Sequence, residues 1–269
     1  TNQIVYNQDD LLAVEEPLEI RIGFGDKNHR QQKSISVTMR TPRNDFELVI
    51  GFLISEGIIT HYSDIQTIKY CTDLGKQIET ENIVRVELKE KITFNSAQLE
   101  RNFYASSSCG ICGKASIETL ETMGCQAIPS QPNTINSTIF FNLPKIIQQT
   151  QIVFNYTGGL HAASLFNTQG ELIYLREDIG RHNALDKLIG ASFMNGIDTS
   201  NTIALMSGRV GFEIVQKSIM ARIPVLVAIG APSSLAVNLA RQYNLTLIGF
   251  LKSDNYNVYS GIERIKMNE

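Results

Sequence analysis

Thr202-Ile-Ala-Leu-Met206, Val225-Leu-Val-Ala-Ile229 and Thr246-Leu-Ile-Gly-Phe250 are three short runs, almost wholly apolar and without polar alternation. Runs of this kind are strands with both faces buried. Between them, Phe212 to Ala221 and Ser233 to Tyr243 carry helical spacing, and a further helix is predicted over Asn183 to Met194. Strands alternating with helices imply a mostly parallel sheet covered by helices on both faces, the α/β class.

Working back from this block, Ala162 to Phe166 and Glu171 to Arg176 flank Thr168-Gln169-Gly170 and read as a hairpin. A helix is expected from about Leu143 to Phe154, preceded by a polar linker, Ser130 to Ser137. The first part of the chain has a different texture. Leu18 to Ile22 and Ser34 to Arg40 form a hairpin about Gly25-Asp26-Lys27-Asn28, and Ile65 to Tyr70 and Ile83 to Leu88 are two further strands. Asn44 to Gly57 is helical: Asn44 can cap, Glu47 follows three residues on, and Gly57 suits the position after the last turn. The division expected is a smaller α+β lobe over residues 1–130, ending in a serine- and glycine-rich loop and a short helix, Ser116 to Met123, and a larger α/β lobe over 131–269. The N-terminal strands are free to pack on the larger lobe.

Lys and Arg total 24 against 27 Asp and Glu, so the net charge of −3 carries no global footprint for nucleic acid or an anionic membrane. An anionic ligand must be held locally. No apolar run approaches the roughly 18 to 20 residues that span a bilayer, no secretory leader is evident, and four cysteines are too few for a disulfide scaffold. The expectation is a cytoplasmic, soluble, reduced protein.

Cys109-Gly-Ile-Cys112-Gly113 is the most informative stretch. Two thiols at this spacing can close a disulfide, share a metal or pass a sulfur atom between them, and the flanking glycines let the loop swing. Lys114 and the following helix start favour thiolate, the reactive form, and a persulfide is the natural product of a thiolate meeting a sulfur donor. A structural zinc site needs more ligands, and neither a second CxxC nor a His-x3-His is present. No resident metal is therefore expected. Cys71 and Cys125 read as structural.

A second constellation is Thr157-Gly-Gly-Leu-His161 with Glu177-Asp-Ile-Gly-Arg181-His-Asn183. Paired glycines allow close approach to a ligand, and a glycine turn before a helix offers free N–H groups to phosphate, with Arg181 as a forked donor. A satisfied core histidine and an ordinary helix start are the bland alternatives. Ser207-Gly208-Arg209, Gly230 to Ser234 and Phe250-Leu251-Lys252-Ser253-Asp254-Asn255 all leave strands, where ligands of parallel sheets sit. The last offers an aromatic face, a cation and a carboxylate, which suit a purine base and its phosphates and equally an ordinary surface loop; the two turns before it are neither a Walker loop nor a GxGxxG fingerprint.

Taken in one order from about residue 18 to residue 260, Gly51 to Ile59, Cys109 to Gly113, Thr157 to Ala163, Glu177 to Leu188, Phe212 to Ser218 and Leu245 to Phe250 resemble the FdhD family of formate dehydrogenase accessory sulfurtransferases. The resemblance implies a cytidine-deaminase-like three-layer larger lobe and a homodimer. It implies sulfur loaded by a cysteine desulfurase as a persulfide on Cys109, and delivery to the molybdenum cofactor in its bis-molybdopterin guanine dinucleotide form for formate dehydrogenase. GDP or GMP would mimic that client. The binding stretch it implies is Phe250 to Asn255, where Leu251, Ser253 and Asp254 depart from a Cys/Pro/Gly-like pattern, and Cys112 is the second candidate thiol. A zinc deaminase is the alternative raised by the fold, but Ser108 precedes Cys109 and neither His29 nor His61 is followed two residues later by Glu. A third reading is a chaperone whose cysteines only clamp the cofactor, and a redox CxxC protein is a further alternative, weakened because no βαβ lead-in precedes the motif.

Overall fold

The computed structural model describes residues 8–71, 81–92, 94, 124–130 and 135–267 of the 269-residue chain. The Cys109 to Cys112 loop and the helix expected over Ser116 to Met123 lie outside the described residues. Strands β1 (Glu16–Phe24) and β2 (Gln31–Arg40) pair antiparallel about Gly25 (φ +95°), as expected. Helix α1 (Asp45–Ser55) follows, and β3 (Ile65–Tyr70) and β4 (Ile83–Leu88) complete a sheet of order β2-β1-β4-β3. Gly57 ends α1 in the left-handed region (φ +68°), and the N–H groups of Gly57 and Ile58 reach back to the carbonyls of Ile54 and Leu53. The start of α1 corrects the sequence reading. Asn44 is itself left-handed (φ 58°, ψ 29°) and makes no side-chain cap, which needs an extended backbone. Glu47 is drawn instead to Arg176, at 2.8 Å.

The helix expected over Leu143 to Phe154 is two helices. After the short strand β5 (Ile135–Asn136), α2 (Ile139–Thr150) begins earlier and contains Pro144; α3 (Ile152–Thr157) follows a break at Gln151 (ψ 86°). Phe140, Leu143 and Ile147 give α2 a buried stripe, and that packing holds the helix despite the missing proline N–H. The polar segment before it is not wholly a linker, because β5 pairs with the C-terminal strand described next.

In the second half β6 (His161–Asn167), β7 (Leu172–Asp178), α4 (Arg181–Met194), β8 (Thr202–Met206), α5 (Phe212–Met220), β9 (Val225–Ala228), α6 (Ser234–Gln242), β10 (Thr246–Gly249), β11 (Asn257–Ser260) and β12 (Ile265–Lys266) succeed one another. Every residue of β8, β9 and β10 is buried, and these three strands are mutually parallel. The sheet is nevertheless mixed, of order β11-β10-β9-β8-β6-β7, and the expectation of a mostly parallel sheet is corrected: β6 lies antiparallel to both β7 and β8, and β11 antiparallel to β10. Within this sheet the neighbours joined by a crossover helix, β8 to β9 and β9 to β10, run parallel, whereas the β6–β7 and β10–β11 hairpins reverse the chain. β12 pairs with β5.

One face of this sheet carries α4, α5 and α6, the other α2. The first core is continuous with the interior of the N-terminal sheet: Leu18, Ile20, Val84 and Val86 belong to the same buried cluster as Leu185, Leu188, Val215 and Leu226. Helix α4, buried from Asn183 through Ser192, lies between α1 and the larger sheet. Two glycines let α1 and α4 meet backbone to backbone. A Cβ on Gly51 would stand 1.8 Å from the carbonyl oxygen of Asp186, and one on Gly190 1.8 Å from that of Glu47. These pairings also make the two helices antiparallel, so the C-terminal end of α1 lies beside the N-terminal end of α4.

Candidate functional site

The C-terminal ends of β7, β8, β9 and β10 and the start of β6 share one edge of the larger sheet. Backbone bonds continue past the strands and join the turns there. Ser207 and Ala162 exchange two bonds, Ala162 N–H to Ser207 Oγ at 2.8 Å and Ser207 N–H to the Ala162 carbonyl at 2.9 Å. Gly230 N–H donates to Gly208 at 3.2 Å, and Phe250 N–H donates to Gly230 at 3.1 Å. His161, Arg181, Ser207 and Phe250 therefore stand on adjoining turns of one rim. Gly208 is its hub, since a Cβ there would lie 3.2 Å from His161 Nδ1 and 4.0 Å from Arg181 Cδ. Gly230 has no room for a side chain, with Gly208 and Arg209 backbone atoms 2.9 Å from a Cβ.

Helices α4, α5 and α6 all begin at this edge. Ser233 caps α6, but α4 and α5 start at Gly180 and Gly211, which supply no side-chain cap, so amide hydrogens and the positive ends of the helix dipoles face the rim. Arg181 adds a full charge, and its Nε is buried without a hydrogen-bond partner. Burial first, and Arg181 second, push the His161 imidazole below its ordinary value. Burial likewise drives His182 down to about 4, helped by Arg181 and Lys217, although its Nε2 lies 3.1 Å from the Glu213 carboxylate. Both histidines are neutral near pH 7. The rim thus brings helix-start amides together with Arg181 and the exposed Arg209, although Glu213 sits in the first turn of α5; amides beside a guanidinium are chemistry suited to a phosphate or another oxyanion.

The model of the FdhD/NarQ family matches residues 13–266. The chain belongs to the FdhD/NarQ family. Its relatives include proteins named sulfur carrier protein FdhD from Streptomyces coelicolor, 44% identical over 98% of this chain and 92% of that protein, and from Mycobacterium tuberculosis, 43% identical over 97% and 94%. Another, from the archaeon Sulfurisphaera tokodaii, is 42% identical over 96% and 92%. A crystal structure from Desulfotalea psychrophila, described provisionally as a formate dehydrogenase accessory protein, superposes with a TM-score of 0.71 at 23% identity, covering 96% of this chain and 92% of its own. That likeness bears on the fold.

Within this FdhD/NarQ chain the stretch after β10 divides. Phe250 takes a left-handed backbone (φ +54°), which leaves its ring 43% exposed at the rim, whereas Leu251 turns inward and is buried in the second core. Lys252, Ser253, Asp254 and Asn255 are exposed; Lys252 N–H closes a turn on the Asn255 carbonyl at 2.9 Å, and Asn255 Nδ2 donates to Asp254 at 2.8 Å. Cys109 and Cys112 lie outside the described residues. Of the other two cysteines, Cys125 is half-buried, and burial pushes its thiol up to about 11, the wrong direction for a nucleophile.

Two buried charge pairs beneath the rim of this family member were not singled out by sequence reasoning. Asp178, fully buried, meets Lys187 Nζ at 2.7 Å, and Lys187 also donates to the Thr41 carbonyl at 2.8 Å. Asp186 accepts from Lys217 Nζ at 2.8 and 2.9 Å and from Ser55 Oγ at 2.8 Å. Burial opposes the Lys217 charge, but Asp186 and Glu56 outweigh it and hold its value above the ordinary one. Burial raises Glu56, against the pull of Lys217. The available signal was Asp186-Lys187 set inside the apolar run Ala184 to Ile189, where a charge has no solvent to face. Among the described residues no helix is long and apolar enough to cross a membrane.

Proposed function

We propose that the chain is a cytoplasmic sulfur carrier that accepts sulfur from a cysteine desulfurase and passes it to the guanine-dinucleotide form of the molybdenum cofactor destined for formate dehydrogenase. The observation that carries this reading is near full-length membership in the FdhD/NarQ family, with relatives of 42–44% identity named as sulfur carriers. In the loading step the Cys109 thiolate attacks the outer sulfur of the desulfurase persulfide. A new S–S bond forms on Cys109, and the desulfurase cysteine leaves as its thiolate, so no outside oxidant or reductant is needed. Cys112 is the second thiol of the loop and a candidate partner in release.

The rim suits the client. Its phosphates would meet the amides of the α4 and α5 starts and Arg181, whose buried Nε lacks a partner, and Lys252 adds charge at the mouth. His161, beside Gly208, and Ser207 stand on the same rim. The exposed Phe250 ring offers a face to a purine, and Asp254 an acceptor for the guanine N1 and N2 hydrogens. The mixed sheet with helices on both faces is compatible with a cytidine-deaminase-like larger lobe, and we read the working unit as a homodimer.

Intact-mass measurement after incubation with a cysteine desulfurase and cysteine tests the central claim. A sulfur-sized increment that survives in Cys112→Ala and vanishes in Cys109→Ala supports a persulfide on Cys109. Retention of cofactor without any increment in the parent protein would instead support a clamp.

A further inference from the structure

Arg181 can serve an anion at the rim only if the turn that carries it is held, and among the described residues no side-chain hydrogen bond from the turns of Ser207, Gly230 or Phe250 reaches it. The fixation comes from below and from the other lobe. Asp178 Oδ1 accepts from Gly180 N–H at 2.9 Å and from Asn183 Nδ2 at 3.2 Å, so one buried oxygen closes the turn on both sides of Arg181. Its Oδ2 accepts from Thr41 N–H at 3.1 Å and from Lys187 Nζ at 2.7 Å. Thr41 returns a second bond, its Oγ1 accepting from Ile179 N–H at 3.2 Å, and Asn183 Nδ2 also donates to the Met39 carbonyl at 2.8 Å. Met39 and Thr41 belong to the end of β2 and the residue after it, in the N-terminal sheet's segment of the chain.

We propose that Asp178, paired with Lys187 and tied to Met39 and Thr41 through the Asn183 and Thr41 bonds, is a positioning residue for the anion site: it fixes the Gly180-Arg181 turn, from which the Arg181 side chain runs past Gly208 with its Cδ 4.0 Å from where a Cβ on Gly208 would stand. The inference rests on the reading of the rim as the site of the anionic client, and it gives the N-terminal lobe a part in binding. A second buried pair supplies the contrast. Asp186 on α4 and Lys217 on α5 are also buried, yet among the described residues the Asp186 side chain bonds to Lys217 and Ser55 and not to the Asp178–Asn183 turn. If burying a charge pair were only a matter of stability, the two pairs would behave alike.

The experiment is calorimetric titration of the full chain with GDP, alongside thermal melting. Arg181→Gln should weaken GDP about tenfold or more, the value of one charge-assisted hydrogen bond. Asp178→Asn, which keeps the shape but neither the charge nor the full set of acceptors, should weaken GDP at least about fivefold. Combined with Arg181→Gln it should add less than about twofold, because residues acting through one another are not additive. Asp186→Asn should lower the melting temperature comparably and leave GDP affinity within about twofold of the parent. If Asp178→Asn does not fold, Asn183→Ala, which removes the side chain linking the turn to Met39, carries the same test against Arg181→Gln.

Several outcomes would overturn the assignment. They are unchanged affinity in the Asp178 or Asn183 variant, effects that multiply with Arg181→Gln, or an equal loss in Asp186→Asn. Failure of the parent to bind either GDP or the guanine-dinucleotide cofactor would remove the anion site itself, and the positioning role with it. That result is distinguishable, since the first three arise only when the parent binds.

Discussion

Gly190→Ala is the sharpest perturbation the structure offers, because it adds one methyl where two helices touch through their backbones. The new Cβ would lie 1.8 Å from the Glu47 carbonyl oxygen, while ordinary contact begins near 3.4 Å, so α1 and α4 must part locally by about 1.5 Å. The obstacle is a helical carbonyl and cannot rotate aside as a flexible side chain would. Overpacking costs typically ~1–3 kcal/mol and occasionally more, and this clash belongs at the severe end, about 4. Alanine returns about 1 kcal/mol through its helix propensity, leaving a net loss of about 3. At about 2 °C per kcal/mol for a chain of this length, the melting temperature should fall by about 6 °C in a calorimetric scan. Gly211→Ala is the control: a Cβ there meets nothing within 4 Å and φ is −95°, so it should melt within about 2 °C of the parent. If Gly190→Ala melts with or above the parent, the reasoning from backbone contact fails.

Lys217→Met should cost about 3–5 kcal/mol by stranding the Asp186 carboxylate in the core, while Lys217→Met with Asp186→Leu should recover much of the loss; equal stability of single and double variants would contradict the pairing. For His182, burial and Arg181 place the folded value near 4, below the ordinary ~6.5, so the unfolded chain binds more protons between those limits. Its contribution to stability is therefore complete above about pH 6.5 and is lost as pH falls toward about 4, and NMR should show the ring titrating near the lower limit. A midpoint near 6.5 would overturn the assigned surroundings.

The parts of the fold legible in sequence were those governed by local chemistry. Gly57 and Gly170 mark a helix end and a hairpin because only a left-handed residue fits there, and Ile65 to Tyr70 and Ile83 to Leu88 carry their strand pattern within themselves. The parts misread depended on distant partners. Glu47 looks like a capping residue until Arg176 is beside it, and the direction of β6 relative to β8 is decided by which strand it pairs with, not by its own residues. The rim turns were recognisable because a glycine or a loop leaves each strand there. Leu251 differs in kind from its neighbours: within a loop quoted as one binding stretch, its apolar side chain belongs to the core beneath. The buried carboxylates Asp178 and Asp186 were hidden because their cationic partners lie 9 and 31 residues away.

The hydrogen bonds that run from Ala162 to Ser207, from Gly208 to Gly230 and on to Phe250 act after the strands have ended, where loops commonly keep their freedom. Each rung removes conformations from a turn during folding, before any ligand arrives. If a phosphate ester binds at the proposed rim site, it meets amides already aligned, and the entropy of ordering those turns does not count against its binding. Such a site should capture its cargo with little adjustment of the rim backbone, leaving the rate of release to be set by contacts rather than by the opening of a lid.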